Sequence, residues 1–136
     1  MEAPFEARMP GTPLGVRMLR REITEIARDC GMDDAGVADV QLAVTEAATN
    51  AVIHGYDQTP GEVTVSAVVE DGELAIVVGD TGGGFDERRE SSGLGVGLSI
   101  MATVAARLRI VSIPGRTEIH MAFPCPNGHS RKVGRA

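Results

Sequence analysis

Residues 62–80 read EVTVSAVVEDGELAIVVGD, and the fold class follows from how they alternate. Val63, Val65, Ala67 and Val69 alternate with Thr64, Ser66 and Glu70, the period-two pattern of a strand with one buried face. Asp71-Gly72 turns the chain, and Leu74, Ile76 and Val78 resume the alternation, so the stretch is a β-hairpin. Beyond it, a loop rich in glycine and charge over 80–97 leads to Leu98, Met101, Val104, Ala105 and Leu108 at helical spacing. Residues 108–113 read as a strand, Pro114-Gly115 as a turn, and 116–123 as a last strand.

On the N-terminal side, Phe5, Ala7 and Met9 alternate as a short strand before the break at Pro10, Gly11 and Pro13. Val16, Leu19, Ile23, Ile26, Ala27 and Cys30 then recur at three and four, predicting an amphipathic helix over 14–30. Its outer face carries Arg17, Arg20, Arg21, Glu25 and Arg28, and Gly31 ends it. Asp33 or Asp34 caps a second helix that runs to about His54. Val37, Val40, Ala43, Val44, Ala47, Ala48, Ala51 and Val52 leave that helix little polar perimeter, so it is largely buried. Helices and hairpins in this order predict an α+β, two-layer α/β sandwich with a mixed, mostly antiparallel sheet and its helices on one face. The other face meets solvent or a partner.

The chain has 136 residues, a net charge of −6, 43% hydrophobic and 24% charged residues, which fits one domain and excludes two. The acidic balance excludes a broad basic surface for nucleic acid or anionic membrane. Residues 127–136 hold Arg131, Lys132 and Arg135 with no acid and read as a flexible basic tail behind a domain over 1–126. Cys30 and Cys125 lack metal-ligand spacing and read as inert small hydrophobes of a reducing cytosol. MEAPFEARMP is not a signal peptide, and no apolar run approaches the roughly 18 residues of a membrane span, so a cytoplasmic location is expected.

Three segments carry chemistry. Glu46, Asn50 and His54 fall at i, i+4 and i+8 of the second helix as one polar stripe in an apolar setting. The carboxylate suits a general base and the amide oxygen a hard cation such as Mg²⁺; a solvated Glu/Asn pair gives the same spacing. Asp80 ends a buried strand ahead of Thr81, Gly82, Gly83 and Gly84, placing an acceptor-only carboxylate beside backbone that a flat ligand can approach. It suits an exocyclic amino group such as adenine's; a capping Asp in a glycine turn is the alternative. Gly93, Gly95 and Gly97 precede a helix whose amides and dipole can receive phosphate. The spacing G-x-G-x-G after a polar loop is not the dinucleotide fingerprint, and no Walker loop occurs.

In combination and order, EAATNAVIHGY (46–56), DTGGGFD (80–86) and GLGVGLSIM (93–101) resemble the N box and two glycine boxes of the GHKL (Bergerat-fold) ATPase superfamily. The first segment is similar to the anti-sigma-factor serine/threonine-protein kinases of bacteria. The resemblance implies a histidine-kinase-like ATPase domain with ATP on one face of the sheet. It implies Mg²⁺ on Asn50, adenine on Asp80, and nucleotide contacts at His54, Gly82, Gly84, Gly93, Gly95, Val96, Gly97, Leu98 and Thr117. It further implies Glu46 as the base that activates a serine hydroxyl of a STAS-domain anti-anti-sigma factor, a sigma factor as second partner, contact near Arg20, and a homodimer. A switch kinase acting on a phosphatase module, or a non-catalytic ATP-binding regulator, shares these motifs. The chain departs from the family in two places. The lid over 85–92 is short, with Arg88 and Arg89 as its cations, and Arg116 stands between Gly115 and Thr117 where the family has a second glycine.

Overall fold

A computed structural model describes residues 5–55, 62–80, 95–113 and 116–126. In chain order the elements are β1 (Phe5–Pro10), α1 (Pro13–Asp29), α2 (Asp34–Gly55), β2 (Glu62–Glu70), β3 (Glu73–Asp80), α3 (Gly95–Val104), β4 (Arg107–Ile113) and β5 (Arg116–Pro124). The strands form one sheet in the order β1-β2-β3-β5-β4. The sheet, expected to be mixed and mostly antiparallel, is antiparallel at all four pairings.

Local chemistry explains the element ends. Thr12 caps α1 with its hydroxyl, which accepts from the Gly15 amide at 3.1 Å, and Pro13 follows where no amide is needed. At the other end Gly31 takes a positive φ of 85°, its amide donating to Arg28 and the Met32 amide to Ala27, which satisfies two of the last carbonyls. Of the two candidate caps for α2, Asp33 serves: its Oδ1 accepts from the Gly36 amide at 2.8 Å. The hairpin turns on Asp71 and Gly72, at φ 53° and 80°, a two-residue loop whose twist matches the strands.

The helical spacing from Leu98 extends to Leu108, which also opens the strand read over 108–113; α3 stops at Val104 and Leu108 lies in β4, as the strand reading has it. The Ala106 amide donates to the Ala122 carbonyl at 2.8 Å, drawing the chain into the sheet. Leu108 suits a helix face and an alternating strand alike, so spacing alone cannot separate them.

Burial alternates along β2, β3 and β5, and the inward residues Val65, Val69, Leu74, Ile76, Val78, Ile119 and Met121 meet Leu19, Ile23, Val40 and Val44 of the helices. α1 packs on α2 and β1, and α2 on β3 and α3. The opposite sheet face presents Thr64, Ser66, Val77, Glu118 and His120, all partly exposed. Cys30 and Cys125 are buried together, with the Cys125 thiol 3.5 Å from the Cys30 carbonyl. Burial first, and the neighbouring thiol second, push the Cys30 thiol far above its usual range, which keeps it protonated and unreactive. No described helix is long and apolar enough to cross a membrane. The tail over 127–136, the lid over 85–92 with Arg88 and Arg89, and the turn at 114–115 lie outside the described residues.

Candidate functional site

Among the described residues three polar or charged ones are buried: Asn50, Asp80 and Thr117, at 6%, 3% and 2% exposure. Each belongs to the set read from the sequence. Asp80 is the last residue of β3 and stands directly opposite Thr117 across the β3–β5 ladder. Opposed residues of an antiparallel pair share a face, and Val78 opposite Ile119 marks this face as the one under the helices. A carboxylate and a hydroxyl are thereby held side by side at the end of the sheet from which residues 81–94 depart.

Asn50 lies on α2, which packs against β3. Its Nδ2 is buried and has no hydrogen-bond partner among the described residues, a state that costs free energy unless an acceptor arrives. The Thr45 hydroxyl on the same helix is in the same condition. With its Nδ2 unpaired, this carboxamide has N–H donors for phosphate oxygens, and its oxygen is of the type that suits a hard cation, so the residue fits both parts of a metal-bound polyphosphate. Glu46, one turn earlier, is partly exposed and so open to a second reactant.

Gly95, Val96, Gly97 and Leu98 form the first turn of α3, where backbone N–H groups lack partners within a helix. His54 belongs to the last turn of α2. Gly82, Gly84 and Gly93 fall outside the described residues. Arg20 is exposed on α1, beside a groove of about 560 Å³ also lined by Leu14, Met18, Thr24, Arg28 and Gln41. Leu14 and Met18 are 57% and 46% exposed, an apolar contribution to this face that reading it as arginines alone misses.

A second feature escaped the sequence reading. Arg116 turns onto the open sheet face, away from Thr117 and Asp80, so its replacement of a family glycine puts no side chain on the Asp80 side. Its Nε donates to Glu118 Oε2 at 2.9 Å and its Nη2 to Thr64 Oγ1 at 3.2 Å. Glu118 Oε1 meets His120 Nε2 at 3.0 Å. Hydrogen bonding from Arg116 first, and from His120 second, holds the Glu118 carboxyl below its usual range. No local motif announces this cluster, because strand register assembles it.

The described site thus combines an antiparallel sheet covered on one face by helices, a buried carboxylate at a strand end, and a buried carboxamide with an unpaired Nδ2 on the adjoining helix, within an α+β domain. The model of the histidine kinase-like ATPase domain matches residues 9–123, and the chain belongs to that family. It is 36% identical over 91 residues to the anti-sigma F factor of Clostridium acetobutylicum, covering 59% of this chain and 64% of that protein. It is 37% identical over 94 residues to the serine-protein kinase RsbW of Bacillus pumilus, covering 67% and 58%. With RsbW of Bacillus velezensis it shares 30% identity over 129 residues, covering 83% and 81%. The chain thus spans less than two thirds of the length of the first two relatives. Among solved structures, the RsbU and RsbW domains of a Mycobacterium tuberculosis protein match with a TM-score of 0.72 and 25% identity, over 90% of this chain and 32% of that one. A blue-light activated histidine kinase of Erythrobacter litoralis matches at TM-score 0.59 and 18% identity, over 88% and 63%, a likeness of fold.

Proposed function

We propose that this chain binds Mg-ATP, holds a sigma factor inactive, and phosphorylates a serine or threonine of a STAS-domain anti-anti-sigma factor. The observation that carries this reading is the coincidence of burial and motif at Asn50, Asp80 and Thr117. The names of the relatives, anti-sigma F factor and serine-protein kinase, support it.

In this reading Asp80, able only to accept, takes the adenine amino group, with Thr117 beside it and Gly82 and Gly84 letting the backbone approach the base. The amides of Gly95, Val96, Gly97 and Leu98, with Gly93, receive the phosphates at the positive end of α3, with His54 as a further nucleotide contact. Asn50 would hold Mg²⁺ through its amide oxygen, leaving Nδ2 to donate to a phosphate oxygen, and the ion would neutralise charge on the phosphate chain. Glu46 accepts the proton of the attacking serine hydroxyl as its oxygen bonds to the γ-phosphorus and the bond to ADP breaks.

Partners meet the α1 face, where Arg17, Arg20, Arg21 and Arg28 surround exposed Leu14 and Met18, a surface that complements an acidic amphipathic segment. Two copies of the chain pair as a homodimer. The test incubates the protein with labelled Mg-ATP and STAS-domain proteins of the same genome, beside Glu46→Gln. Wild type labels a serine or threonine; the variant loses transfer by about 10²–10⁴-fold, the usual contribution of a general base, while still capturing a sigma factor. Equal transfer by both proteins removes Glu46 from its role.

A further inference from the structure

We propose that Arg116 is a positioning residue for base recognition: its guanidinium, laid across Gly79 from β5 to β2, fixes the strand ends that carry Asp80 and Thr117. The proposal rests on the reading of Asp80 as the acceptor of the adenine amino group.

Arg116 is the first residue of β5, one position outside the terminal Asp80–Thr117 pair of the β3–β5 ladder. Strand ends open most readily, so a base acceptor placed there depends on what else ties the strands together. On the open face Thr64 and Glu118 flank Gly79 from β2 and β5, and Gly79 directly precedes Asp80. The Arg116 side chain bridges all three strands. It holds Glu118 through Nε and Thr64 through Nη2, and passes where a residue 79 side chain would stand. A Cβ built on Gly79 would lie 2.7 Å from Nη2 and 3.2 Å from Cζ. The glycine therefore serves as the floor of an arginine clamp, and the clamp lies on the reverse side of the sheet from Asp80.

Two features make the clamp rigid. The guanidinium is planar, and its donors leave in fixed directions to two different strands, which an ammonium cannot reproduce. Glu118 is held ionised by Arg116 and by His120 on its second oxygen, so the acceptor does not swing free. The ion pair is partly solvated, at 31% and 27% side-chain exposure, and contributes little to global stability. Its effect is concentrated on the strand end instead. A single hydrogen bond to a purine amino group requires placement within about half an ångström, which sets the demand on that strand end.

The decisive experiment compares equilibrium affinities for ATP and ITP, whose hypoxanthine carries a keto oxygen in place of the adenine amino group. The full chain is used as wild type, Arg116→Ala, Arg116→Lys and Thr64→Val, each with a thermal melt in the absence of nucleotide. Wild type prefers ATP. Arg116→Ala lowers the ATP-over-ITP ratio by about fivefold or more while its melt stays cooperative, as expected where a charge-assisted hydrogen bond is misaligned. Arg116→Lys restores part of the ratio, and Thr64→Val, which cuts only the far anchor, falls between. If Arg116→Ala fails to fold, the Lys and Val variants carry the comparison. An unchanged ratio, or an equal loss for both nucleotides, overturns the proposal in favour of a general structural role. Equal wild-type affinity for ATP and ITP instead removes the adenine assignment of Asp80, and the role of Arg116 with it.

Discussion

Asn50→Ala separates stability from function at one residue. In the free protein the buried Nδ2 has no partner among the described residues, and such a group costs about 1–3 kcal/mol. Alanine removes that cost and gains about 0.5 kcal/mol of helix propensity within α2, against roughly 1 kcal/mol for the small void left behind. The variant is expected to be about 1–2 kcal/mol more stable without ligand, a rise in melting midpoint of about 4–8 °C for a domain of this size. Mg-ATP reverses the comparison. At about a hundred times its dissociation constant, a ligand adds about 2.7 kcal/mol to a protein that binds it, and nothing to one that does not. Differential scanning calorimetry with and without Mg-ATP reads both effects at once. Wild type melts lower than the variant alone and shifts up with nucleotide; the variant melts higher alone and does not shift. A variant that melts below wild type without nucleotide, or keeps the full shift, refutes the view that the amide is kept for a ligand.

Two further perturbations test the fold around the site. Glu118→Gln should cost about 0.2–1 kcal/mol at pH 7, the usual worth of a partly solvated ion pair. The native carboxyl titrates below its ordinary value of 4.5, so its contribution is complete above that pH and is lost as pH falls through the native value; urea unfolding at pH 7 and pH 3 should show the deficit shrinking. Gly15→Ala should destabilise by about 1–2 kcal/mol despite alanine's better helix propensity, because the new Cβ would collide with the Pro10 carbonyl oxygen that also accepts from Thr12. Unchanged urea midpoints would mean that α1 and β1 are not packed so closely.

Much of this was legible in the chain because burial and chemistry conflict openly. Asn50 sits among alanines and valines, and Asp80 follows a hydrophobic strand, so each polar group stands out against an apolar context that a solvated residue would lack. The hairpin was legible for a similar reason, since alternation on both sides of Asp71-Gly72 admits one register. What stayed hidden depends on register between distant segments. Thr64, Gly79 and Arg116 come together only once β3 lies between β2 and β5, and no spacing along the chain encodes that order. Cys30 and Cys125 likewise meet across 95 positions, joining the end of α1 to the end of β5. The exposure of Leu14 and Met18 was missed because both lie off the apolar stripe of α1, and the outer face was read by its charged residues alone.

The proposed function requires an adenine nucleotide at the buried pair of Asp80 and Thr117, and isothermal titration of Mg-ATP into the purified chain, beside Asp80→Asn, reads it. One site per chain is expected in wild type and at least about a tenfold weaker affinity in the variant, because asparagine can present a donor where the adenine amino group requires an acceptor. Equal affinity in the two proteins, with both cooperatively folded, would contradict it.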